Sequence, residues 1–369
     1  MVCVWAIIRT TSISDRLASR KEEKTHAGRK KLTVGIIGNG KSANRYHIPF
    51  LLTRKETIKL KTIYARSLQK KDWAHLPEVC YTNQIQTVLD DPEIDLVVIT
   101  TPVTAHAELA EEVLRKQKHC LVEKPFVMCQ QQAEALFRLA DEKHVTLMCY
   151  QNRRFDSDYL TVKKVLASGC LGRLTEVEMN YDYYRPEVPL CAETYRPEDS
   201  FLYQHGAHMI DQALALFGSP EQVYYDVRQL LGAHRMNDYY DIDLMYEGWK
   251  VSLRSSYFRV KSRPKFVLYG TRGMFVKRTD DKQEQHLKLF ACMGAPGFGI
   301  DTPEEYGTLT YYDDAGCYHE EKVPSERGDY GLFYDALYRT IICHELPLVT
   351  PDQTLEQLRI LERGAKGLV

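Results

Sequence analysis

The stretch Leu32-Thr33-Val34-Gly35-Ile36-Ile37-Gly38-Asn39-Gly40-Lys41-Ser42-Ala43 decides the fold. Its first half is apolar and rich in β-branched residues, and reads as a buried strand. Its second half fits the G-x-G-x-x-G/A pattern, with alanine at the third small position. Each small residue has a mechanical purpose. Gly38 permits a tight strand-to-helix turn, Gly40 lets backbone approach a pyrophosphate, and Ala43 lets the following helix lie close on the sheet. The phosphates would sit at a helix N-terminus, where unpaired N–H groups and the helix dipole favour negative charge. Gly38, Asn39, Gly40, Lys41, Ser42 and Ala43 are therefore candidate cofactor-binding residues. A plain tight turn would also fit this stretch, so the assignment depends on its surroundings.

Working outward, residues 41–53 read as a helix made irregular by Pro49. Strands are expected at 58–64, 79–82, 96–100, 119–123 and 146–150, alternating with helices around 85–89, 105–116 and 129–143. This alternation predicts a doubly wound parallel sheet, a Rossmann dinucleotide-binding domain over 32–150. After Tyr150 the rhythm changes. A helix at 157–168 closed by Gly169 is followed by a long alternating strand at 174–184 and a helix at 208–217. Strand-like runs follow at 222–230, 239–246, 250–257, 265–269 and 274–277. Their alternation predicts a C-terminal α+β substrate and oligomerisation domain over 151–369, with an open, mostly antiparallel sheet. Residues 294–305 read as a loop, and closing helices near 329–342 and 354–362 are placed to pack back on the first domain. Residues 1–31 carry no secretory pattern and read as a loosely ordered extension outside the fold.

Composition excludes several functions. Lys plus Arg number 49 against 50 Asp plus Glu, so there is no polyelectrolyte argument for nucleic acid or an anionic membrane. The ten cysteines form no C-x-x-C pair, and Cys120 and Cys149 fall within apolar strand patterns. Reduced thiols and a cytoplasmic location are the simpler reading. No apolar run approaches the length of a bilayer span.

The chemistry gathers at the carboxyl ends of the expected parallel strands, where open α/β sheets bind ligands. An acid about twenty positions past the glycine loop would bind a ribose 2′-hydroxyl. Here the second strand ends in Tyr64-Ala65-Arg66-Ser67, with Lys70 and Lys71 beyond. Ala65 in place of the acid, with Arg66 and Ser67 beside it, suits a 2′-phosphate, so NADP is preferred over NAD. The bland alternative is a set of solvated charges. Thr101, Pro102 and His106 follow the next strand, and Glu123-Lys124-Pro125 the one after. A lysine there can hydrogen-bond substrate and cofactor, or take part in proton transfer if burial lowers its pKa; alone it would more often be a surface charge.

Taken together, Val34 to Gly40, Thr101-Pro102-Val103-Thr104-Ala105-His106, Leu121-Val122-Glu123-Lys124-Pro125 and His208-Met209-Ile210-Asp211 resemble the glucose-fructose oxidoreductase and inositol dehydrogenase (Gfo/Idh/MocA) family, from Leu32 almost to the end. Gly40-Lys41-Ser42, Tyr46-His47 and the run Gln151 to Ser157 look closest to bacterial members that include NADP-dependent scyllo-inositol dehydrogenases. The resemblance implies a nicotinamide cofactor on the first domain and a sugar or cyclic polyol between it and the second-domain sheet. It makes Lys124 and His208 the candidate catalytic residues, Lys124 contacting cofactor and substrate hydroxyl and His208 exchanging the alcohol proton. A cis bond to Pro125 is expected from it, and so is a homodimer or homotetramer. Asn152 and Arg153 match the family's hinge region and are candidate substrate contacts, while Arg154 is expected in a structural ion pair. Asp211 would orient the His208 ring or cap its helix. Tyr183 is read as part of a saccharide-facing rim that includes Tyr195-Arg196-Pro197, with packing as the alternative.

One departure matters. Many members carry aspartate four residues before the histidine, where this chain has Gln204, a side chain that cannot ionise. His205 is a candidate substitute in proton transfer. No metal site is expected, since His205, His208 and Asp211 lack a further ligand. Two other readings stay open: a glycosidase that oxidises and re-reduces its sugar through a tightly held cofactor, and a catalytically silent dinucleotide sensor, which Gln204 keeps in play.

Overall fold

The computed structural model describes residues 30–68, 73, 75–190, 196, 200–232, 235–289 and 295–366. Lys70, Lys71, Tyr195 and Pro197 lie outside them, as does most of the expected extension. Lys30 and Lys31 already belong to the fold: Lys30 pairs with Asp95 at 2.6 Å and Lys31 Nζ donates to the Lys55 carbonyl at 2.7 Å.

Two sheets build the molecule. The first is parallel and runs in the order β3-β2-β1-β4-β5-β6. Its strands are β1 (Leu32–Ile37), β2 (Ile58–Tyr64), β3 (Cys80–Thr82), β4 (Leu96–Ile99), β5 (His119–Val122) and β6 (Leu147–Cys149). Helices cover both faces, so the central strands are apolar along their length rather than alternating. Every side chain of β4 is fully buried, as are Cys120, Leu121 and Val122 of β5. The strand order reverses between β1 and β4, which opens a crevice at their carboxyl ends.

The second sheet has the order β14-β13-β12-β11-β7-β10-β9-β8, and its one parallel pairing is β10 with β7. Its strands are β7 (Leu174–Asn180), β8 (Gln222–Arg228), β9 (Tyr239–Tyr246), β10 (Trp249–Ser256), β11 (Phe266–Gly270), β12 (Gly273–Lys277), β13 (Gly307–Tyr312) and β14 (Tyr318–Val323). One face packs on helices. The other carries Asp243, Lys250, Glu176, Arg254, Asp241 and Glu178 in a lattice of ion pairs.

Several expectations need correcting. The strand expected at 174–184 ends at Asn180: at the next hydrogen-bonding position of the ladder, Arg263 N–H donates to the Asp182 carboxylate at 3.1 Å rather than to its backbone carbonyl. Beyond it, Tyr181, Tyr183 and Arg185 still donate to carbonyls of Arg254, Ser256 and Tyr257. The helix expected at 41–53 contains a π-helical turn, Ala43–His47, before Ile48–Leu52, in keeping with Pro49. Strands β13 and β14 and the helix Lys282–Lys288 were not anticipated.

Two closing helices pack back on helices of the first domain. Gly331–Cys343 packs against Ile48–Leu52, and Pro351–Ala365 packs against both Gln130–Lys143 and Ala207–Phe217. The last helix starts firmly: Pro351 occupies its first turn, and Thr350 and Gln353 form a reciprocal capping box. Among the described residues no helix is long and apolar enough to cross a membrane.

Candidate active site

A cleft of about 280 Å³ opens at the carboxyl ends of the parallel strands, facing the second layer. Its walls come from Ser42 and Tyr46 after β1, Thr101 after β4, Glu123 and Lys124 after β5, Asn152 and Arg153 after β6, and His205, His208 and Glu284 from the second layer.

The glycine loop is shaped for close approach. Gly38 has φ of +119°, and a Cβ there would lie 2.5 Å from Thr100 Oγ1 and within 3.1 Å of the Thr100 backbone. Only glycine fits that position. A Cβ on Gly40 would meet nothing within 4 Å, so its missing side chain leaves open space beside the loop. Ala43 is fully buried, as a small residue under a helix should be. Asn39 Oδ1 accepts from Asn44 Nδ2 at 2.8 Å, while Lys41 is exposed. At the end of β2, Ala65 N–H donates to the Thr82 carbonyl at 2.9 Å, and Arg66 and Ser67 are exposed.

Glu123 ties the loop to the sheet. It accepts from the Ser42 hydroxyl, lies 2.9 Å from His47 Nε2, and accepts the Lys124 backbone N–H at 3.0 Å. Burial alone would raise its pKa, but His47 and Ser42 outweigh burial and bring it down to about 2. His47 is held by Tyr334 Oη, 2.6 Å from its Nδ1. Next to this anchored carboxylate, Lys124 precedes a cis bond to Pro125, and its Nζ donates to the Gln204 carbonyl at 2.9 Å. An ammonium has three donors, so two remain for other acceptors. Burial lowers the Lys124 pKa; Glu123 opposes this and Arg153 adds to it.

His208 sits in the first turn of Ala207–Phe217, and its Nδ1 is buried without a hydrogen-bond partner. Burial first, then the charges of Lys124 and Arg153, hold it well below the ordinary histidine pKa, and His205 is lowered by the same causes. Both imidazoles are neutral at physiological pH. His205 Nδ1 lies 3.3 Å from the hydroxyl of half-buried Tyr183. The Thr101 hydroxyl is likewise buried in the cleft wall without a partner.

Other residues lie elsewhere than the sequence suggested. Asp211 neither orients His208 nor caps its helix: its carboxylate takes both Nε and Nη2 of Arg154, at 2.8 and 2.6 Å. Arg154 is thus in the expected ion pair. His106 is buried as a brace rather than presented to the cleft. Its Nε2 lies 2.9 Å from the Thr101 carbonyl and its Nδ1 3.0 Å from that of Pro125, linking the ends of β4 and β5. Pro102 is exposed beside it. Gln204 meets Lys124 through its backbone carbonyl.

Glu284, Tyr46 and His47 were not singled out as site residues from the sequence. Glu284 lies on Lys282–Lys288, whose N-cap Asp281 accepts the Glu284 N–H. The one available signal was the Asp281 cap three residues before an acid. Glu284 accepts from Tyr46 Oη at 3.1 Å and Lys288 Nζ at 2.9 Å, and pairs with Arg153 Nη2 at 3.2 Å. Burial would raise its pKa, but Arg153 and Lys288 hold it below the usual value.

A parallel sheet with this strand order, a glycine turn at its switch point and an unpartnered threonine in the crevice has the form of a dinucleotide-binding oxidoreductase. Residues 32–151 match an oxidoreductase family with an NAD-binding Rossmann fold, and 159–276 match the GFO/IDH/MocA C-terminal domain. The chain belongs to the GFO/IDH/MocA oxidoreductase family, and it is an enzyme of that class. It is 40% identical over 336 residues to the uncharacterised oxidoreductase YhhX of Escherichia coli, covering 90% of this chain and 96% of that one. To the NADP(+)-dependent scyllo-inositol 2-dehydrogenase IolW of Bacillus subtilis it is 32% identical over 345 residues, covering 92% and 95%. A crystal structure of an oxidoreductase from Bacillus cereus superposes with a TM-score of 0.86 at 38% identity, covering 90% of this chain and 95% of that one.

Proposed function

We propose that this protein is an NADP-preferring dehydrogenase or reductase acting between a secondary alcohol and a ketone of a cyclic polyol or sugar. The observation that carries the reading is the convergence of Lys124 and neutral His208 in one cleft with the glycine loop. The loop from Gly38 to Ala43 would hold the pyrophosphate, and Thr101 and Asn152 would face the nicotinamide end. When bound, the cofactor supplies or accepts hydride at its nicotinamide ring.

The chain's own groups do the rest. A neutral imidazole at His208 accepts the hydroxyl proton in oxidation and returns it in reduction. Lys124, with donors to spare, hydrogen-bonds the same oxygen and stabilises its developing negative charge. Asn152 and Arg153 bracket the ring. Gln204 leaves no carboxylate at its position, so the proton passes through His208, with His205 behind it. Exposed Arg66 and Ser67 at the end of β2, with Ala65 in place of an acid, support the NADP preference. The similarity to IolW supports the substrate class. The ion-paired outer face of the second sheet supports assembly into a homodimer or homotetramer, and the lack of a membrane-spanning helix among the described residues is consistent with a cytoplasmic location.

The test is a fluorescence titration with NADPH and NADH, followed by a panel of inososes, ketoses and sugar lactones. Tighter NADPH binding and oxidation of NADPH by an inosose is the expected result. Tight binding with no turnover on any member would favour a sensor or a closed-cycle glycosidase instead.

A further inference from the structure

Behind the cleft wall lies a buried chain of contacts that the proton and hydride steps above do not use. His47 ends the π-helical turn Ala43–His47 and is fully buried, its ring centroid 4.2 Å from that of Tyr150. Its Nε2 lies 2.9 Å from Glu123 Oε1 and its Nδ1 2.6 Å from Tyr334 Oη, on the closing helix Gly331–Cys343. An ionised carboxylate has no proton to give, so Nε2 is the donor to Glu123. The same Oε1 accepts from the Ser42 hydroxyl beside the glycine loop, and Oε2 accepts the Lys124 backbone N–H.

We propose that His47 is a positioning residue: braced by Tyr334, it pins the Glu123 carboxylate that sets Lys124 and the glycine loop in register with one another. The inference rests on the reading of Lys124 given above.

A carboxylate this well buried keeps its charge only while it is paired. His47 is the strongest of the influences that bring the Glu123 pKa down, followed by Ser42 and Lys124. Tyr150, Tyr334 and Cys149, which burial keeps protonated, are the other titratable groups that face it. Without His47, burial would push Glu123 upward. A protonated Glu123 has a hydroxyl where Ser42 or Lys124 now donates, and it no longer offsets the burial of the Lys124 ammonium. Lys124 would be both displaced and more readily discharged. A displacement of about 1 Å in a catalytic group costs on the order of a hundredfold in rate. His47 does not line the cleft, so it reaches the reaction only through Glu123.

The experiment compares the natural protein with His47→Leu, His47→Gln and Tyr334→Phe by two readouts. The first is the infrared carbonyl band of a protonated carboxyl in the cofactor-free protein as the pH is lowered, assigned to Glu123 by its loss when Glu123→Gln is added. His47→Leu should develop this band at a pH where the natural protein shows none, and His47→Gln, whose amide can still donate, should not. The second is NADPH oxidation by an inosose. In His47→Leu, kcat should fall at least about thirtyfold while the KM for NADPH stays within about threefold. It should fall further towards acid, opposite to a step in which His208 gives a proton, and His47→Gln should recover to within about fivefold of the natural rate. Should His47→Leu fail to fold, Tyr334→Phe, which removes only the bracing hydroxyl, is expected to move both readouts the same way. Absence of a Glu123 band in the variants that fold, or a loss of kcat that is independent of pH and not recovered by glutamine, would overturn the proposal: His47 would then only fill the core. If the natural protein binds NADPH and turns over no inosose, the polyol reading falls, and the infrared arm alone decides whether His47 pins Glu123.

Discussion

At the scale of the residue, the chemistry turns on the protonation of two buried groups. His208 is held neutral by burial and by neighbouring cations, and Lys124 is lowered by burial. The signs set the pH profile. A depressed histidine pKa moves the acidic limb of kcat/KM for alcohol oxidation below the usual value near 6.5. A depressed lysine moves the loss of its charge, and with it the alkaline limb, below the usual value near 10.4. The predicted profile is flat through neutrality with both limbs displaced downward. An acidic limb at or above 6.5 would show that His208 is not the group titrating. Lys124 and His208 could be picked out because each stands in a short motif whose residue types announce chemistry. Glu284 could not, since its value comes from Arg153 and Tyr46, both remote in sequence. Asp211 shows the converse: its spacing from His208 on a helix was right for contact, yet Arg154 offered a stronger bidentate partner.

At the scale of the element, the first sheet was the more legible half. Strands buried on both faces appear as continuous apolar runs, and β1, β4 and β5 stand out for that reason. β13 and β14 are polar and half-exposed at the sheet edge, and their sequences carry little burial signal. The helix Lys282–Lys288 is short and has Leu287 as its one apolar residue, so periodicity did not reveal it. The elements are joined by pairs that no local pattern encodes. Arg154 reaches from the chain after β6 to Asp211 on Ala207–Phe217, and donates to the Leu348 carbonyl and to Gln353 at the start of the last helix. Removing one member of such a buried pair leaves the other uncompensated, so Asp211→Ala should cost about 3–5 kcal/mol in urea unfolding. A loss under about 1 kcal/mol, in the range of exposed pairs, would show that the pair does not hold these elements together.

At the scale of the whole molecule, the cleft exists because strand ends distant in the chain meet a second layer. Ser42, Thr101, Lys124 and Asn152 come from successive parallel strand ends, and His205, His208 and Glu284 close the cleft from the other side. The glycine loop alone could not show this; the strand order, with its reversal between β1 and β4, does. The account's central claim is that Lys124 works on the substrate oxygen rather than holding the dinucleotide. The most direct test compares NADPH oxidation by an inosose in the natural protein and in Lys124→Ala, with NADPH affinity measured by fluorescence on the same samples. Turnover should fall at least about a hundredfold while affinity for NADPH changes little. Retained turnover in Lys124→Ala would contradict the claim outright.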